Sequence, residues 1–136
     1  MRFIGFNFKK ISIERLNEKL KNLRVESKIN IESIDTIETD FIRKEEKIIR
    51  VRFLYVIDYL PNIAKVELQG QVLFSVSEAK AKEIINEWKD KKLNENDRLL
   101  IFNIILKKSN IKALQLEDEM NLPPHIPLPS IKKQNK

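Results

Sequence analysis

From Ile48 to Tyr59 apolar and polar side chains alternate almost without fault, and the alternation resumes from Ile63 to Val76. Ile49, Val51, Phe53, Tyr55, Ile57 and Tyr59 share one parity of the first stretch. Ala64, Val66, Leu68, Val72, Phe74 and Val76 share one parity of the second. A period of two, rich in β-branched and aromatic residues, describes strands with one buried face. Between them stands Leu60-Pro61-Asn62, where proline fixes φ and asparagine tolerates a left-handed conformation. Lys47 to Val76 therefore reads as one long antiparallel hairpin, each strand spanning roughly 40 Å at about 3.3 Å per residue. With Pro61 and Asn62 as the turn residues, Tyr59 opposes Ala64, Ile57 opposes Val66, Tyr55 opposes Leu68, Val51 opposes Val72 and Ile49 opposes Phe74. Asp58 then meets Lys65, and the Phe53 ring covers Gly70. A slip of one residue would send the two apolar sets to opposite faces, so the register is well specified. Pro-Asn does not suit the primed turns of two-residue hairpins, which leaves a slightly longer loop of the same parity open.

The flanking segments extend this sheet. Phe3 to Ile13 reads as a first strand in which Ile4, Phe6 and Phe8 share one parity and Ile11 and Ile13 the other. A β-bulge at Lys9-Lys10 would turn both sets to the core. Glu14 to Arg24 carries Leu16, Leu20 and Leu23 at helical spacing, with a long loop or edge segment as the alternative. Lys28 to Phe41 gives a second strand, with Ile29, Ile31, Ile37 and Phe41 on one parity, and a polar turn at Arg43 to Glu46 leads into the hairpin. After Val76 the period changes. Ser77 is an N-cap candidate for an amphipathic helix over Glu78 to Lys91, with Ala81, Ile84, Ile85 and Trp88 on its apolar stripe. Asn96 or Asp97 is expected to cap a second helix running through Leu99, Leu100, Phe102, Ile105, Leu106, Ala113, Leu114 and Met120. Four prolines force Leu122 to Pro129 into an extended path. Four strands followed by two helices, without βαβ alternation, predict an α+β fold: a four-stranded antiparallel sheet with two C-terminal helices on one side. The expected organisation is one domain over residues 1–130 and a basic tail over 131–136.

The chemistry that the chain could carry is restricted. It has no cysteine, hence no thiol nucleophile or thiolate metal site. Its only histidine, His125, lies in the proline segment without an evident orienting partner, and reads as a solvent-edge residue on a docked tail. Glu117-Asp118-Glu119 lacks the ligand alternation of a calcium loop and reads as a solvated helix face. Neither glycine belongs to a phosphate-binding loop. The expectation is a protein that is not an enzyme and needs no metal or cofactor. No apolar run approaches the ~18 residues of a membrane-spanning helix, which predicts a cytoplasmic protein without membrane insertion. The net charge of +6 raises nucleic acid as a partner. The lysines are interrupted by Glu45-Glu46, Glu78, Glu83, Glu87 and Asp90, a pattern of solvation rather than of a nucleic-acid footprint.

Ile48, Leu54, Val56 and Leu73 fall on the parity that also carries Arg50, Arg52, Lys65 and Glu67. With helices over the first face, this second face either exposes a mixed surface for self-association, a partner or an extended peptide, or curls to bury these residues. The residues alone leave both open.

The order of several short motifs resembles the SecB export-chaperone family. Phe6-Asn7-Phe8-Lys9-Lys10-Ile11-Ser12-Ile13-Glu14 is similar to that family's first strand. Glu67-Leu68-Gln69-Gly70-Gln71-Val72-Leu73-Phe74-Ser75-Val76 is similar to its Glu-x-Gln-x-Gly-hydrophobic-Phe-Ser-Ile strand. The late helix followed by Leu122-Pro123 and closing on Ile126-Pro127-Leu128-Pro129 resembles its ending. The resemblance implies a nucleotide-independent holdase that keeps unfolded polypeptides or preproteins in solution and assembles into homo-dimers or tetramers. On this reading Phe6, Phe8, Leu54, Val56, Phe74, Ile126 and Leu128 line client-binding grooves, with ordinary core packing as the alternative for each. Glu67 matches a glutamate of the family's contact with the SecA motor. Lys10 stands where the family has an aspartate, and the acidic tail is replaced by Ile131 to Lys136; both departures argue against SecA as the partner. The alternatives from other classes are a nucleic-acid-associated or toxin–antitoxin-related regulator, or a non-enzymatic assembly subunit.

Overall fold

The structure is a computed structural model that describes residues 1–38 and 45–134. Its elements are β1 (Arg2–Arg15), β2 (Arg24–Ile37), β3 (Glu46–Leu60), β4 (Ala64–Ser77), α1 (Glu78–Lys89) and α2 (Glu95–Glu119). The strands form one antiparallel sheet in the order β1-β4-β3-β2. Both helices pack on the same face, where Ala81 and Ile84 of α1 and Ile101, Ile105 and Ala113 of α2 join the apolar parity of β3 and β4 in a single core. This is the α+β architecture that the hydrophobic periodicity predicts.

The central hairpin has the expected register at every pair, from Tyr59 opposite Ala64 to Ile49 opposite Phe74. Its turn is the longer loop: Asn62 takes φ 51°, and Ile63 N–H donates to the Tyr59 carbonyl at 2.9 Å. Phe53 does cover Gly70, and the space is already full. A Cβ at Gly70 would lie 2.5 Å from the Asn7 carbonyl oxygen and 3.1 Å from Phe53 Cζ. Asp58 and Lys65 are opposed, but the Lys65 ammonium lies instead 3.3 Å from Glu67 on its own strand.

The edge strands are bent by bulges. In β1 the register shifts between Phe8 and Lys10, as the parity break predicts, so Phe6 and Phe8 stand opposite Val72 and Gly70 while Ile11 and Ile13 stand opposite Leu68 and Val66. A further shift between Phe3 and Gly5 takes Ile4 off the face it was expected to share with Phe6, leaving it exposed. In β2 a shift between Ile31 and Ser33 sends Ile34 to the core opposite Val51, and places Ile37 opposite Ile48 on the other face. Ile29, Ile31 and Ile37 therefore do not share one face. This strand starts at Arg24 rather than Lys28; Phe41 and residues 43 and 44 of the expected turn lie outside the described residues.

Glu14 to Arg24 is not a helix. After β1 the chain forms a loop gathered by Arg15, whose guanidinium donates to the carbonyls of Asn17, Glu18, Met120 and Asn121. Ser77 caps α1 as expected, accepting from Lys80 N. The cap of α2 is Asn94, two to three residues earlier than expected, with its side chain accepting from Asp97 N at 3.2 Å. Asp97 thereby faces inward, and its carboxylate meets the Lys80 ammonium at 2.7 Å, joining the two helices.

Candidate functional site

The buried line of α2 recurs every fourth residue: Ile101, Ile105, Ser109, Ala113 and Glu117. Two of these are polar, and Glu117 is the more consequential. Rather than forming a solvated face, its side chain is only 1% exposed and faces His125, also 1% exposed. His125 Nδ1 lies 2.8 and 2.9 Å from the two carboxylate oxygens, and the His125 backbone N–H donates to Oε1 at 2.9 Å. His125 Nε2 lies 2.8 Å from Asn110 Oδ1, which accepts from the Tyr55 hydroxyl at 2.7 Å. The Tyr59 hydroxyl donates to the Pro123 carbonyl at 2.6 Å. His125 is thus a buried clasp, not a solvent-edge residue, because the turn after α2 brings the chain back across Glu117. The sequence signal for it lay in the hairpin. Two tyrosines on a core parity need partners for their hydroxyls, and Asn110 of α2 and the Pro123 carbonyl of the docked segment supply them. Burial raises both tyrosine pKa values, with the Glu117 charge adding to the effect. Both side chains are enclosed in the core, and the pair fastens the C-terminal segment.

The β1 edge and the helix-free face of the sheet both reach the surface. The main contacts of the helices with the sheet are to β2, β3 and β4, and β1 is the edge strand outside β4. On the helix-facing side of β1, Phe3 and Ile11 are therefore 41% and 46% exposed, and Phe6 and Phe8 half-buried. Phe6 stacks on Phe53 at 5.5 Å between centroids and meets Phe8 edge-on at 5.0 Å. The result is an apolar, aromatic strip along the sheet edge. On the opposite, helix-free face, Leu54 and Val56 are half-buried among polar side chains that hold one another. Gln69 donates to Glu32, Gln71 to Asn7, and Arg50 to Asp35.

The expected groove residues do not share a surface. Phe6 and Phe8 belong to the β1 strip, and Leu54 and Val56 to the helix-free face. Phe74 is fully enclosed in the core, because its parity on β4 faces the helices. Ile126 is half-buried and Leu128 is 53% exposed on the C-terminal segment beyond the His125 clasp. Glu67 stands on the helix-free face, where Lys10 Nζ lies 2.7 Å away. The hydrogen bond from Lys10, and then that from Lys65, hold its carboxyl below the usual carboxylate range. This acid is neutralised in place. Its depressed pKa contributes stability that is present above the ordinary carboxylate range and is lost as the pH falls through the folded-state value. Lys10→Ala is expected to move the Glu67 titration upward towards that range, as followed by side-chain carboxyl NMR.

Among the described residues no three His, Asp or Glu side chains converge as metal ligands, and no helix is long and apolar enough to cross a membrane.

No family model matches the chain, and no curated protein matches it by sequence. Solved structures do. A SecB-like chaperone of Mycobacterium tuberculosis, in complex with a ChAD peptide from an antitoxin, superposes with a TM-score of 0.52 at 11% identity, covering 95% of this chain and 89% of that one. The fold is thus SecB-like.

Proposed function

We propose that this protein is a nucleotide-independent holdase that binds unfolded or preprotein segments through exposed apolar surface. The observation that carries this reading is the strip of Phe3, Phe6, Phe8 and Ile11 on a SecB-like sheet edge that the helices leave uncovered. Burial of apolar surface is non-directional and tolerates varied side chains, as a holdase requires. The strand beneath that strip is an edge of the sheet, so its outward backbone groups are free to pair with an extended client or a second copy. A homo-dimer or tetramer would join such edges. The peptide held by the mycobacterial protein is a precedent for a polypeptide client. The Lys10–Glu67 pair weighs against an acidic docking surface of the SecA-binding kind.

Light scattering of an aggregating, chemically unfolded client tests this directly, with no nucleotide present. Suppression near stoichiometric amounts that survives moderate salt is expected. The double variant Phe3→Asp, Ile11→Asp, at two already exposed positions, should raise the amount needed about fivefold. Absence of suppression, or its loss in moderate salt, overturns the reading.

A further inference from the structure

A recess lies on the flank opposite the β1 strip, between edge strand β2 and the junction of the helices. It encloses about 270 Å³ and is lined by Ile31, Trp88, Leu93 and Phe102, with Lys91 and Arg98 among its walls. Among the described residues no carboxylate lines it. That volume lies below the range of pockets that enclose whole small molecules, and suits a single large side chain.

The cations are placed rather than scattered. Lys91 takes a left-handed conformation at φ 56°, and its N–H donates to the Trp88 carbonyl at 2.9 Å in the turn that ends α1. Its ammonium sits 3.7 Å from the centroid of the Trp88 ring. The connection to α2 is pinned where Asn94 N–H donates to Glu87 Oε2 at 3.0 Å, which occupies the nearby acid of α1. Among the described residues, neither Lys91 nor Arg98 has a carboxylate within ion-pair distance. Beside the recess runs β2, the second edge of the sheet, whose outward backbone groups are not used within it.

We propose that this recess binds an extended polypeptide segment in which a large apolar side chain is followed or preceded, two residues away, by an aspartate or glutamate. The segment pairs with the free edge of β2. In an extended chain, residues two apart point to the same side about 7 Å from one another. One side chain then enters the space between Trp88 and Phe102 while the carboxylate reaches Lys91 and Arg98. The proposal rests on the polypeptide-binding reading and gives it a sequence preference: acidic-apolar clients over basic ones.

Three labelled peptides of equal apolar content test it, differing only in carrying glutamate, glutamine or lysine two residues from a central phenylalanine. Binding is read by anisotropy of the label and by the emission of Trp88, the only tryptophan of the chain. At low salt the glutamate peptide is expected to bind about tenfold more tightly than the lysine peptide, a gap that narrows as salt is added. The double variant Lys91→Glu, Arg98→Glu should reverse the order, its fold being checked by circular dichroism. Equal affinities for the three peptides, an order that the double variant does not reverse, or no change in Trp88 emission would each overturn the proposal. Suppression of client aggregation by the wild-type protein is measured alongside. Suppression with equal peptide affinities removes this preference alone, whereas no suppression and no peptide binding remove both readings.

Discussion

His125→Ala is expected to destabilise the protein by about 3 kcal/mol, a large loss for a residue eleven positions from the end of the chain. The substitution leaves the Glu117 carboxylate, 1% exposed, without the side-chain donor that faces both of its oxygens. Asn110 and Tyr55 lose the group that joins them to the same cluster. Glu117→Gln is the milder change, at about 1 kcal/mol, because the amide oxygen still accepts from the ring and from the backbone N–H of His125. Urea denaturation gives the stability difference, and hydrogen exchange at the amide of residue 125 shows where it arises. The cluster ties the C-terminal segment to α2 and to β3, so this amide should exchange faster in the alanine variant even where the sheet stays protected. An unchanged midpoint together with unchanged exchange at that amide would show that the clasp contributes nothing.

That cluster was also the part of the molecule least legible in the sequence. The hairpin register followed from parity alone, because a one-residue slip costs an entire buried face. The bulge at Lys9 was legible for the same reason: Phe6 and Phe8 could not share a face with Ile11 and Ile13 without it. The bulge after Ile31 was not, since isoleucines on both sides allow two continuous parities that bury similar area. In α2 the obvious leucines misled. Leu99 and Leu100 are exposed, while Ser109 and Glu117 face inward, because the helix presents every fourth residue to the sheet whatever its polarity. Glu117 and His125 are eight residues apart across a turn, and hydrophobic periodicity carries no information about such a pair. The surfaces open to a partner depend on which strands the helices cover, a tertiary fact. It explains why the seven expected groove residues divide among an edge strip, the helix-free face, the C-terminal segment and the core.

Gly70→Ala is expected to cost about 2 kcal/mol and Phe53→Ala about 4 kcal/mol, with the double variant losing less than the sum. Gly70 lies at the crossing of β1, β4 and β3, paired with Phe8 on one side and Phe53 on the other. An added methyl group meets two obstacles of different kind. The Phe53 ring at 3.1 Å is a side chain that can be removed, whereas the Asn7 carbonyl at 2.5 Å and Phe8 Cα at 3.1 Å are backbone of the edge strand. Removing the ring relieves the first obstacle only, so the coupling should be real but partial, of the order of 1 kcal/mol. The remaining cost falls on β1, which must move outward, and with it the Phe6 and Phe8 strip above Phe53. Gly70→Ala should therefore weaken client binding by more than its effect on global stability explains. Thermal or urea unfolding of the four species of the cycle measures the coupling, and client suppression at a temperature where all are folded measures the displacement of the strip. Strict additivity would mean that the ring does not limit the space at Gly70. Full suppression of client aggregation by Gly70→Ala would mean that β1 accommodates the methyl group without shifting its aromatic face.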